Sequence, residues 1–107
     1  MSYKLTKWQW SDDVREEELR AEMRSQKLAP FSWHNGPHDA YSPHTRSYTR
    51  VIYIVKGSAV FHFPADNEDV AVTPGDRLEI PARTLHGFTA GPEGVTCLEA
   101  AIRQRGG

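Results

Sequence analysis

The chain has 107 residues, of which 38% are hydrophobic and 25% charged, as expected for one globular domain with one modest core. Its formal net charge of −1 gives no electrostatic reason to expect nucleic acid or an anionic membrane as a partner. The sequence has no apolar stretch near the ~20 residues that cross a bilayer and no secretory signal, and its single cysteine, Cys97, excludes an intramolecular disulfide, so we expect a cytoplasmic protein.

The first third of the chain favours a helix, over residues 12–28. Asp13 and Glu16 have the three-residue spacing of an N-terminal capping pair, and Leu19 and Met23 stack at i, i+4. Because this apolar stripe is narrow, we expect the helix to lie on the surface of the domain. The three tryptophans are expected to pack around this N-terminal layer, with stacking on a cofactor as the alternative: Trp8, Trp10 and Trp33.

From residue 40 onward the sequence predicts short strands separated by turns. Two β-rich runs, 50–55 and 58–63, are joined at Lys56-Gly57. The later predicted strands cover residues 70–72, 78–80, 85–88 and 95–102. Strands at this spacing, with almost no helix among them, predict an antiparallel sandwich or small barrel. We therefore predict one structural domain, with residues 1–30 as a helical or arm-like extension and residues 31–107 as the barrel.

One predicted strand carries apolar residues on both faces. Residues 51–55, VIYIV, have no polar alternation, which is typical of a strand between two packed surfaces. The barrel core would be one of these surfaces and a subunit interface the other.

Two histidines are candidate site residues because each is placed by a predicted turn. His44 precedes the first β-rich run, and His86 follows a turn–strand–turn unit. Two histidines held in this way are consistent with metal binding, but the residues alone favour a structural or exposed position over a ligand role. Either histidine could also act as a general base in a metal-free enzyme, and the sequence assigns no catalytic residue.

The segments around these histidines resemble the two motifs of the cupin superfamily. The first motif, His-x-His-x(3,4)-Glu-x(6)-Gly, is matched in spacing by His44, Arg46, Arg50 and Gly57. The second motif, Gly-x(5)-Pro-x-Gly-x(2)-His-x(3)-Asn, is matched in spacing by Gly75, Pro81, Arg83, His86 and Ala90. The resemblance covers residues 31–102. It implies a mainly all-β fold, a cupin-type antiparallel jelly-roll or small β-barrel, here with a short N-terminal helix. It also implies a homodimer, because small cupins commonly pair through their sheets.

The resemblance implies a metal site that is lost or weakened. Metal-binding cupins hold Fe, Mn, Ni, Zn or Cu with the histidines and glutamate of the two motifs, and this chain keeps only His44 and His86 of that set. Arg46 and Arg50 cannot replace the other ligands, because a guanidinium has no free lone pair and stays protonated. A substitute set of His38, His44 and His86 is the alternative. It would make the protein a metal-dependent enzyme of dioxygenase or isomerase type.

The same substitutions also predict an anion-binding pocket, in which the arginines and histidines of the motifs point into one cavity. The guanidinium fork matches carboxylate and phosphate, so the predicted ligand is a small anionic metabolite, bound by His44, Arg46, Arg50 and His86. The structural alternative places Arg46 outward and pairs Arg50 with Glu79 or Glu99 inside the barrel. Three tyrosines are candidates either to line the pocket mouth or to pack: Tyr41, Tyr48 and Tyr53. The cofactor is accordingly expected to be absent or a divalent transition metal.

Overall fold

Two long antiparallel strands form the centre of the fold. The computed structural model describes residues 2–9 and 13–103. Its elements, in chain order, are β1 (Lys4–Thr6), α1 (Glu16–Ser25), β2 (Phe31–Asn35), β3 (Ala40–His44), β4 (Thr49–Phe63), a 3₁₀ turn (Pro64–Asp66), β5 (Glu68–Val72), β6 (Arg77–Ile80) and β7 (His86–Ile102). All strand pairs are antiparallel. The prediction of a mainly all-β antiparallel fold with one short helix is confirmed.

The two long strands take part in two layers. The first half of β4 pairs with β6 and with the second half of β7, and the layer continues to β1 on one side and β2 on the other. The second half of β4 pairs with β5 and with the first half of β7, which also carries β3. Apolar side chains from both halves of β4, such as Ile52 and Phe61, meet in one buried cluster. The layers therefore enclose a common core, in the manner of a jelly roll.

The long strands change layer where a glycine allows a bend. Gly57 in β4 and Gly94 in β7 have φ angles of 80° and 81°, and a Cβ on Gly57 would lie 2.1 Å from Gly94 O. The predicted junction at Lys56-Gly57 is therefore wrong, because β4 continues through it with register shifts rather than a turn. Residues 86–88 and 95–102 of the later predicted strands are likewise parts of one strand, β7. A glycine of positive φ suits a turn and a β-bulge equally well, and here it forms the bulge.

The second apolar face of residues 51–55 is covered by the chain's own helix. Val51 and Tyr53 belong to a buried cluster outside the barrel core, and this cluster includes Leu19 and Met23 of α1. Leu19 and Met23 are 3% and 0% exposed. The helix thus lies on the outer face of the first layer, as its narrow stripe predicts, and it occupies the position that the sequence left to a subunit interface. The homodimer stays a prediction.

The start of the predicted helix is wrong. Helix α1 begins at Glu16, and Arg15 stands at the N-cap position without a side-chain capping bond. Asp13 lies outside the first turn, so the capping pair does not form. Three glutamates in the first turn, residues 16–18, provide the favourable interaction with the helix dipole instead.

The segment before the helix contributes an edge strand that the sequence pattern did not indicate. β1 pairs with β6 through Lys4–Thr6, and Tyr3 stacks on Phe63 with ring centroids 4.3 Å apart. Trp8 packs against the cluster under α1, whereas Trp33 packs against the barrel core; Trp10 lies outside the described residues. No helix within residues 2–9 and 13–103 is long and apolar enough to cross a bilayer.

Candidate functional site

A cavity of about 450 Å³ opens into the barrel between β2, β3, β4 and β7. Three of the four predicted site residues line it, namely His44, Arg46 and Arg50. The fourth, His86, is 1% exposed and lies beside His44, with ring centroids 4.9 Å apart. The structure therefore brings the four motif residues together, although they differ in what remains available to a ligand.

Arg50 is engaged in an ion pair at the base of the cavity. Its Nε donates to Glu99 Oε2 at 2.9 Å and its Nη2 donates to Glu99 Oε1 at 2.6 Å. The two side chains are only 7% and 3% exposed. The remaining terminal nitrogen, Nη1, lies 2.8 Å from His86 Nε2, and Trp33 Nε1 donates to Glu99 Oε1 at 3.0 Å. We call these four side chains the closed network. The predicted alternative of a buried ion pair between Arg50 and Glu99 is thus confirmed.

His86 takes part in this network as a neutral imidazole. Its Nδ1 lies 2.8 Å from the carbonyl oxygen of Thr84, which can only accept, so Nδ1 carries the proton. Nε2 then has a lone pair and accepts from Arg50 Nη1. Burial lowers the pKa of His86 from 6.5 to about 4. The nearby positive charges lower this pKa as well, and Arg50 has the largest effect among them. The hydrogen bond to Thr84 opposes this fall in pKa without cancelling it.

His44 is held in the same way but keeps one nitrogen free. Its Nδ1 lies 3.1 Å from the carbonyl oxygen of Ser42 and therefore carries a proton. Its Nε2 is buried and has no hydrogen-bond partner within the described residues. Buried polar atoms are normally paired, so this nitrogen is a natural contact for a ligand in the cavity.

Arg46 differs from Arg50 in being exposed. It lies between β3 and β4, at the wall of the cavity, where its backbone oxygen accepts from Arg83 N at 2.8 Å. The ion pairs found in the part of the chain that the structure describes do not include it. Of the two arginines that line the cavity, Arg46 is therefore the one whose charge is not balanced by a carboxylate among the described residues.

The residues at the inherited metal positions do not fit a metal ion. Arg50 stands where cupins have the glutamate, and the Nε2 lone pair of His86 that a metal would need already accepts from Arg50. His38 is exposed in the turn before β3, with its backbone N bonded to Gly91 O at 3.1 Å. Residues 2–9 and 13–103 contain no group of three His, Cys, Asp or Glu side chains placed to hold a metal. The substitute set of His38, His44 and His86 is accordingly not assembled.

The aromatic wall of the cavity was largely missed by sequence reasoning. The wall consists of five rings, those of Phe31, Trp33, Tyr41, Tyr48 and Phe88. Tyr41 and Tyr48 were candidates for this place, and Tyr53 instead packs on the outer face under α1. Phe31 was missed because β2 was not predicted, and for the same reason Trp33 was expected mainly at the N-terminal layer. Its sequence, FSWHN, nevertheless alternates aromatic and polar residues, which was the available signal.

The comparisons with known proteins agree with this fold. Residues 29–101 match the family model described as the AraC-like ligand binding domain. No match to the chain is found among curated proteins. A cupin superfamily protein from Desulfitobacterium hafniense DCB-2 is 20% identical, with a TM-score of 0.58, over 95% of this chain and 78% of that one. This similarity confirms the predicted cupin fold.

Two similar structures belong to enzymes. The polyketide cyclase RemF from Streptomyces resistomycificus is 26% identical, with a TM-score of 0.64, over 75% of this chain and 57% of that one. A structure of the DMSP lyases RdDddP and RnDddQII is 26% identical, with a TM-score of 0.65, over 76% of this chain and 40% of that one. The chain thus spans about half the length of these proteins.

Proposed function

Because this chain belongs to the family of AraC-like ligand-binding domains, we propose that it binds a small anionic metabolite in the cavity of its cupin barrel, without a metal ion. Arg46 contacts the anionic group, and His44 provides a second polar contact. Arg50 and His86 form the floor of the site and hold it in shape.

The observation that carries this proposal is the difference in pairing between the two arginines. The charge of Arg50 is balanced by Glu99 at 2.6 and 2.9 Å, so Arg50 can donate further hydrogen bonds but adds no net positive charge to the cavity. Arg46 is exposed at the same cavity. A carboxylate or phosphate entering the cavity would therefore pair with Arg46 without separating a buried ion pair.

The closed network also argues against a metal ion in the proposed binding site. A metal at the motif positions would have to displace Arg50 from His86 and leave Glu99 and a guanidinium without their present partners. Breaking a buried pair in this way costs about 3–5 kcal/mol. The metal-dependent enzyme expected as the alternative would need a different arrangement of its ligands from the one in residues 2–9 and 13–103.

Ligand-induced stabilisation tests the proposal directly. Thermal unfolding would be followed in the presence of a chelator with benzoate, succinate and inorganic phosphate, and with uncharged benzamide for comparison. A ligand at 100 times its Kd stabilises the folded state by about 2.7 kcal/mol. We expect at least one anion to raise Tm, benzamide to have little effect, and Arg46→Ala to abolish the shift.

Arg15→Ala is the matched control, because Arg15 is exposed at the start of α1, on the opposite side of the first layer from the cavity. It removes the same charge and should leave the shift unchanged. A shift that survives Arg46→Ala in full, or one that requires added metal and disappears with chelator, contradicts the proposal.

A further inference from the structure

The wall of the cavity is aromatic and partly uncovered. Phe88 lies at its centre, stacked with Tyr41 at 4.9 Å between ring centroids and tilted against Trp33 at 5.5 Å. Tyr41 is 48% exposed and Phe31 51% exposed, although both line the cavity. Aromatic faces left half open beside a small-molecule cavity favour a flat, aromatic ligand that would stack on them.

Many of the polar groups of the wall already form hydrogen bonds within the protein. Tyr41 donates its hydroxyl to Asn35 Oδ1 at 2.7 Å, and His34 Nδ1 lies 3.0 Å from Thr96 Oγ1. Both oxygens of Glu99 accept from Arg50, and one also accepts from Trp33. A ligand with many hydroxyl groups would find few free partners on this wall, since such groups need hydrogen bonds when buried.

The Nε2 atom of His44 nevertheless has no hydrogen-bond donor among the described residues. His44 Nδ1 is committed to Ser42 O, so in the neutral ring Nε2 can only accept. Nε2 is buried and has no partner within the described residues. A ligand with a hydroxyl group would satisfy it, whereas a purely apolar ring would leave it unpaired at a cost.

We propose that the ligand is a planar aromatic acid bearing a hydroxyl group. Its ring stacks on the wall formed around Phe88, its acid group pairs with Arg46, and its hydroxyl donates to His44 Nε2. This inference rests on the proposed function, because it assigns a chemical class to the same ligand and makes His44 the residue that selects for the hydroxyl.

The test compares a small set of acids by titration calorimetry. The probes are 3- and 4-hydroxybenzoate, the matching methoxybenzoates, benzoate and cyclohexanecarboxylate. We expect the better hydroxybenzoate to bind about tenfold more tightly than benzoate and than its methoxy analogue, because only the hydroxyl can donate. Benzoate should bind about fivefold more tightly than cyclohexanecarboxylate, since the saturated ring cannot stack.

The protein side of the test uses His44→Phe, with His62→Phe as matched control. His62 lies on β4 with its ring nitrogens bound to Asp69 and Thr89, away from the residues that line the cavity. His44→Phe should remove the preference for the hydroxyl, and His62→Phe should keep it. If His44→Phe fails to fold, the comparison of hydroxy and methoxy acids in the unaltered protein still decides, because it changes only the ligand.

The outcomes separate this inference from the proposed function. Equal affinity for cyclohexanecarboxylate and benzoate, or a hydroxyl preference that survives His44→Phe, overturns the inference while acid binding through Arg46 stands. A loss of benzoate binding in His44→Phe means that His44 holds the acid group, which also overturns it. If none of the acids binds, the proposed function fails and the inference fails with it.

Discussion

One arginine lies at the base of the cavity and another at its mouth; the first is buried and paired, and the second is exposed. At the base, Arg50 lies within β4 with its guanidinium paired to Glu99 and His86. At the mouth, Arg46 lies four residues earlier in the loop before β4 and is exposed. The two arginines occupy neighbouring positions of one motif, and the predicted anion pocket gave them one role. What separates them is the adjacent strand, because β7 brings Glu99 to Arg50.

Because of this difference, we expect the two arginines to affect different properties, Arg50 the stability of the protein and Arg46 its binding of a ligand. A buried charge that loses its partner is costly, whereas an exposed charge contributes little to folding. The closed network should therefore determine how stable the barrel is and the mouth should determine what it binds. Changes at the two places are expected to affect different measurements.

The largest effect is expected from Glu99→Gln, which keeps the shape of the side chain and an acceptor for Trp33 but removes the charge that pairs with Arg50. We expect the free energy of unfolding to fall by about 3–5 kcal/mol, because a buried guanidinium is left without its counter-ion. Urea unfolding measures the loss. Adding Arg50→Met should restore part of it, since no unpaired charge then remains in the core.

Glu79→Gln is the matched control for this substitution. Glu79 forms a partly exposed ion pair with Arg77 at 3.0 Å, and such pairs contribute about 0–1 kcal/mol. If Glu99→Gln were as mild as Glu79→Gln, the ion pair with Arg50 would not be what holds the base of the cavity together.

The next largest effect is a loss of stability at acidic pH, which we expect from His86 at the base of the cavity. His86 is neutral in the folded protein and its pKa is lowered to about 4, whereas an unfolded chain takes up this proton near pH 6.5. Since the unfolded state binds more protons between these values, the contribution of His86 is complete above pH 6.5 and is lost as the pH falls toward 4. The free energy of unfolding should decrease by up to about 3 kcal/mol over this window.

Urea unfolding at a series of pH values, with NMR of the imidazole nitrogens, measures this effect. The nitrogen shifts of His86 should stay those of a neutral ring with the proton on Nδ1 down to about pH 4. His86→Gln should flatten the dependence of stability on pH between 6.5 and 4. A His86 ring that titrates near pH 6.5 in the folded protein would show that the base of the cavity is open to water.

The sequence predicted the motif positions correctly but could not choose the partner of Arg50. Both Glu79 and Glu99 were candidates, and only the strand register distinguishes them. Glu79 lies opposite Val51, and Glu99 lies opposite Ile52. Side chains alternate between the faces of a strand, so Glu99 shares the inner face with Arg50 and Glu79 lies on the outer face. Registers of non-adjacent strands are not readable from spacing alone.

The fold, unlike the partner of Arg50, was predictable from the spacing of the two motifs. The motif spacing fixes where the chain turns tightly, as at Gly75, which has a φ of 90°. It does not show whether a glycine ends a strand or bends it, and Gly57 does the latter. It also leaves open what covers an apolar face. Residues 51–55 are covered by α1, so the expected homodimer no longer has this strand as its support.

The smallest effect on stability is expected at the mouth. Arg46→Ala should change the free energy of unfolding of the ligand-free protein by no more than about 0.5 kcal/mol, because Arg46 is exposed and removing it leaves no buried group without a partner. Arg50→Ala, measured beside it by urea unfolding, leaves Glu99 buried without its counter-ion and should cost about 3–5 kcal/mol. Near-equal losses for the two variants would mean that the mouth is part of the structural network, and the division between a stabilising base and a binding mouth would then not hold.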